Sequence, residues 1–133
     1  MLLMQLETPE KFSFLHIAHH LALSDGKLGK REKKKLEDYC VEMGVDNIIF
    51  DAENYDLDEC LINFKSKKSQ QILLLELMLL VHVDDKFNKS EEKLIEKIST
   101  KFNIDEIHVK YASTWGKAMS ALREQALLMT QDT

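Results

Sequence analysis

Proline is almost absent from this chain, with one among 133 residues, and glycine is sparse at four. Sandwiches and barrels need turn residues at every strand reversal, so so little turn chemistry counts against an all-β fold. Two cysteines, Cys40 and Cys60, form no C-x-x-C pair. Neither a thiolate zinc site nor a disulfide framework follows, and each reads as a reduced, partly buried apolar residue. The longest apolar run, Ile72 to Val83, is 12 residues and is interrupted by Glu76 and His82. A bilayer needs about 20, so no transmembrane segment is expected. Met1 to Leu6 is apolar but lacks a basic region and a small-residue cleavage site, which excludes a convincing signal peptide. There is no Gly-rich phosphate loop and no nucleophile placed beside a base, so catalysis has little footing. A net charge of −5 is the wrong sign for a general nucleic-acid binder. What remains is a cytoplasmic, non-enzymatic protein of one domain, spanning 1–133.

What is present is helix. Hydrophobic residues make up 44% and charged residues 31%, and Leu, Lys and Glu dominate, all good helix formers. From Pro9 to Leu23 the residues Phe14, Ile17, Ala18, Leu21 and Ala22 share one face at helical spacing. Thr8 reads as the N-cap, with termination near Ser24-Asp25-Gly26. A second helix runs from about Lys30 to Met43, with Leu36, Tyr39, Cys40 and Met43 inward and Gly44 closing it. Asp46 to Tyr55 is ambiguous, a short helical turn at Ile48 to Phe50 and then an acidic loop. Asp56 with Glu59 reads as a capping box for a helix through Phe64. After a polar connector, Gln70 to Val83 is apolar nearly all round, the pattern of a buried central helix. Asn88 with Glu91 opens a helix to Phe102, and Asp105 caps a long final helix to about Leu128, patterned inward through Tyr111, Met119 and Leu122.

The chain also says one thing twice. D-G-K-L-G-K-R-E, from Asp25 to Glu32, returns as D-D-K-F-N-K-S-E, from Asp84 to Glu91, an offset of 59 residues (84 − 25). The same offset pairs Leu36 with Ile95, Tyr39 with Ile98, Met43 with Phe102 and Val45 with Ile104. An internal repeat fixes architecture before any residue is interpreted. Two helix–loop–helix units, about 9–45 and 68–104, should pack about a pseudo-twofold axis, with an acidic linker helix between them and a C-terminal helix over about 105–128. The expected fold is all-α, a single-domain bundle of about six or seven helices.

Acids seven residues apart invite comparison with an EF-hand. Gly26 at that motif's sixth position puts Glu32 at the twelfth, but positions one, three and five become Leu21, Leu23 and Asp25. Calcium needs six or more oxygens, so two missing ligands exclude the motif. In the second copy those positions hold Leu80, His82 and Asp84, and Asp85 replaces the glycine. The plainer reading is structural. Glu32 and Glu91 stand where a capping glutamate belongs, and Asp25 and Asp84 can close the preceding turns.

A helix ending in D-G, a hydrophobic residue two further on and a glutamate opening the next helix, given twice, resembles the tellurite-resistance protein B (TerB-like) family. The resemblance spans Phe12 to Ile107 and rests on Asp25-Gly26-x-Leu28-x-x-x-Glu32 and Asp84-x-x-Phe87-x-x-x-Glu91. Glu76, eight residues before Asp84, matches an acid early in that family's second buried helix. Ser24 and Val83 stand where the family usually has Ala, and Asp85 where it has a second Gly. The resemblance implies a non-enzymatic module of the stress-response and tellurite-resistance kind, with a divalent cation held by Asp25, Glu32, Glu76, Asp84 and Glu91. The alternative is a protein-interaction or scaffold domain whose D…E loops are purely structural.

Other constellations are weaker. A buried Glu76 among leucines calls for a bond to a Lys, a Tyr or a helix terminus, the alternative being a cation ligand. His16 and His20 have zinc-helix spacing but no evident third ligand. With His19 they fall opposite the apolar stripe and read as a solvated face. Lys27 to Lys35 carries six basic residues and also reads as solvated helix surface. Trp115 reads as core; exposed, it would mark a surface for another protein.

Overall fold

The computed structural model describes residues 1–23, 28–83 and 87–131. Among these residues a 3₁₀ turn (Leu3–Gln5) precedes six α-helices: α1 (Thr8–Ala22), α2 (Lys30–Met43), α3 (Leu57–Ile62), α4 (Lys67–Val81), α5 (Lys89–Lys101) and α6 (Glu106–Met129). The described residues contain no strand. No described helix is long and apolar enough to cross a membrane.

Local chemistry sets these boundaries. α1 starts one residue earlier than Pro9 suggests, because Glu7, not Thr8, is its N-cap, and Glu10 Oε1 accepts from the Glu7 amide at 2.7 Å. The Ser24-Asp25-Gly26 terminator lies outside the described residues. Gly44 ends α2 in the left-handed region (φ 68°), where a residue without Cβ carries no steric cost. Residues 45–50 form no helical turn, and Ile49 is 96% exposed. Asp56 caps α3 by accepting from the Asp58 amide, and the helix is shorter than expected. α4 begins at Lys67 instead of Gln70, because the Ser66 hydroxyl accepts from the Ser69 amide. α5 opens on a reciprocal box: Glu91 donates its amide to Asn88 Oδ1 at 2.9 Å, and Asn88 donates its amide to Glu91 Oε1 at 3.0 Å. The starts of α1 and α4, and of α2 and α5, are each separated by the offset of the sequence repeat.

The core gathers on α4, whose Leu73, Leu74, Leu77, Met78 and Val81 are fully buried. α1 lies against it and against α2 and α3, and Phe14 meets Tyr39 edge-on with ring centroids 5.0 Å apart. The apolar N-terminal segment is part of this core, with Leu3 and Leu6 buried against α2 and α4.

α6 corrects the sequence expectation. Tyr111 is 70% and Leu122 56% exposed, while the buried residues of the helix are Ala112 and Gly116. Small residues let α6 lie close on α4: a Cβ built on Gly116 would stand 2.8 Å from the backbone of Met78. Ser120 donates to the Leu79 carbonyl at 3.3 Å, and Ser113 Oγ lies 3.1 Å from His82 Nε2. Close approach, not large side chains, defines this interface.

Candidate functional site

The repeated glutamates sit at the starts of equivalent helices. Glu32 is buried and its Oε1 accepts from the Gly29 amide at 3.2 Å; Glu91 is buried and answers the Asn88 amide in the same way. Asp25 and Asp84, their expected companions, lie outside the described residues. Glu76 is 0% exposed in the middle of α4. Its Oε1 accepts from the Leu2 amide at 2.7 Å and lies 3.2 Å from the Met1 ammonium, which Glu42 also holds. Its Oε2 is buried without a hydrogen-bond partner. Of the bonds expected from a Lys, a Tyr or a helix terminus, the last is the one made, since Leu2 is the N-cap of the 3₁₀ turn, and Tyr39 donates instead to the Glu76 carbonyl, at 3.4 Å. Among the described residues no three His, Cys, Asp or Glu side chains come together as a metal-binding group, so Glu32, Glu76 and Glu91 form no shared donor set.

The histidines of α1 do not form a solvated face. The loop after α2 folds back over them: His19 is buried, its ring stacked on Phe50 at 5.9 Å and its Nε2 3.0 Å from Asn47 Oδ1. His20 stacks on Tyr55 at 4.4 Å. Burial lowers the pKa of both His16 and His20, with the charges of His19 and Lys97 respectively adding to the effect. His19 and His20 therefore belong to an aromatic contact, and no third ligand joins His16 and His20 among the described residues. The thiols are poor nucleophiles: burial raises Cys40, and burial with Asp56 and Glu59 pushes Cys60 up to about 11.

No family model, curated protein or solved structure matches the chain. Its own geometry therefore has to carry any functional reading.

That geometry singles out a place the sequence reading passed over. A cleft of about 630 Å³ opens between α2 and α6. On its α2 wall stands Lys35, expected on a solvated surface but only 9% exposed. Its ammonium lies 5.2 Å from the Tyr39 ring centroid, a cation–π contact. Burial, with the Arg123 charge second, lowers its pKa to about 8 against the opposing pull of Glu76, Asp38 and Glu42. The signal was in the sequence. Lys35, Tyr39 and Glu42 follow one another at helical spacing beside Leu36 and Met43, so Lys35 stands at the edge of the buried stripe.

Proposed function

We propose that this chain is a non-enzymatic binding module of two TerB-like helix–loop–helix repeats about a pseudo-twofold axis, in which the D…E corners are structural. The supporting observation is that Glu32 and Glu91 each turn a carboxylate back onto the N-cap amide of its own helix. That is the work of a capping glutamate, and it favours the positive end of the helix dipole. The partner in this reading is another protein, met along the outer side of α6, where Ile107, Tyr111 and Leu122 are exposed. Lys110 flanks them and suits an apolar helix with an acidic rim. The buried, unpartnered oxygen of Glu76 is what favours the rival reading, a divalent cation bound through the acids in a stress response.

Glutamine separates the two readings, because it keeps the capping geometry and removes the charge a cation requires. Glu32→Gln with Glu91→Gln should retain most of the stability that Glu32→Ala with Glu91→Ala loses, about 1 kcal/mol per site. Urea denaturation of both pairs gives the comparison. A Gln pair as destabilised as the Ala pair would contradict the structural reading.

A further inference from the structure

Among the described residues, five cationic side chains line the cleft between α2 and α6, against two acids. Two of the cations are already matched: Arg31 pairs with Glu124 at 3.2 Å, and Lys34 with Asp38 at 3.0 Å. Lys35, Lys117 and Arg123 make no ion pair among the described residues. Lys35 is the telling member, because its side chain is buried against Tyr39 while its ammonium faces the cleft without an ion pair among the described residues, and a partly desolvated charge so placed is costly. Val83, Ala121 and Leu127 supply apolar wall between the charges.

We propose that this cleft binds a phosphate-bearing organic molecule, with Lys35, Lys117 and Arg123 around the phosphate and the apolar wall against its organic body. The charge count selects the ligand class. Three cations without an ion pair among the described residues suit the dianion of a phosphate monoester better than a single carboxylate. Arg123 contributes a planar fork for phosphate oxygens, and the lysines act as point charges. The volume lies in the range of small-molecule sites. Arg31 is held in place at the rim, donating to the Val83 carbonyl at 3.4 Å as well as to Glu124. A bound anion would also offset, by its opposite charge, the burial and the neighbouring Arg123 charge that lower the Lys35 pKa. The proposal stands independently of the TerB-like reading, since Lys35, Lys117 and Arg123 lie outside the D…E corners.

The test is calorimetric titration of the full chain with 1-naphthyl phosphate, inorganic phosphate and 1-naphthalenesulfonate. One-site binding of naphthyl phosphate is expected, at least tenfold tighter than the monoanionic sulfonate. Inorganic phosphate should compete for the site more weakly, since it lacks the body that meets the apolar wall. Lys35→Met and Arg123→Met should each weaken naphthyl phosphate by tenfold or more, while Lys101→Met, remote on α5, should leave it unchanged. Circular dichroism establishes that each variant is folded. Absence of naphthyl phosphate binding, equal affinity for the sulfonate, or undiminished binding by folded Lys35→Met and Arg123→Met would each overturn the proposal.

Discussion

Gly116→Val is expected to destabilise the protein by about 3 kcal/mol, at the upper end of the usual cost of overpacking. Glycine inside a helix normally weakens it by about 1 kcal/mol relative to alanine, so a larger residue there would ordinarily help. Here a Cβ would meet the carbon, oxygen and Cβ of Met78 at 2.8 Å. Backbone atoms in the middle of α4 cannot rotate aside as a long side chain can, and Met78 is itself fully buried. The helices must separate, and a branched side chain worsens what a single methyl begins. Separation would also loosen the contacts of Ser113 with His82 and of Ser120 with Leu79. Ala118→Val, at an exposed position on the same helix, is the control and should cost well under 1 kcal/mol. Equal effects from the two would remove the close crossing from the account.

Lys35→Met should act in the opposite direction and stabilise the protein at neutral pH. Burial lowers Lys35 from its ordinary 10.5 to about 8, so at pH 7 the folded state carries a desolvated charge that the unfolded chain does not. Between pH 8 and 10.5 the folded state has released the proton while the unfolded state still binds it. The unfolded state therefore holds more protons, and the Lys35 contribution to stability rises with pH across that window. The full shift would correspond to roughly 3 kcal/mol. Lys35 borders an open cleft, and solvent screening there reduces the expected gain from methionine at pH 7 to about 1–2 kcal/mol. Tyr39 and Cys60 titrate in the opposite sense, because burial raises both and folding then weakens at alkaline pH. The informative quantity is thus the difference between wild type and Lys35→Met, followed by denaturation from pH 7 to 10.5. It should shrink from about 1–2 kcal/mol toward zero. A difference independent of pH would show that Lys35 is not a strained ammonium. A residue that costs stability and lines a cleft is a candidate for function, which is why the same substitution serves the binding test.

How far the sequence could be read depended on the range of each interaction. Caps act over three or four residues, and Gly44, Asn88, Glu91 and Asp105 were legible for that reason. α4 was legible because a helix apolar all round has nowhere to go but the interior. Three features escaped. α6 buries Ala112 and Gly116 while leaving Tyr111 and Leu122 outside, because its packing is governed by how closely two backbones can approach. His19 and His20 are covered by Phe50 and Tyr55, residues some thirty positions away, which helical periodicity cannot foresee. Lys35 was hidden inside a run of basic residues, where composition suggested solvent although its register pointed to the buried edge. For the acids, the sequence identified where a corner must form, and two of the residues concerned, Asp25 and Asp84, lie outside the described residues.

The central claim, that the repeated acids shape the fold and do not hold an ion, is tested most directly by melting the protein with and without Ca²⁺, Mg²⁺, Mn²⁺ and Zn²⁺. A ligand that binds only the folded state at a hundredfold excess over its Kd stabilises by about 2.7 kcal/mol, a shift of roughly 5 °C or more for a domain of this size. The account predicts superimposable curves for all four ions. A melting temperature that rises and saturates with one of them, and no longer does so in Asp25→Asn with Asp84→Asn, would contradict it.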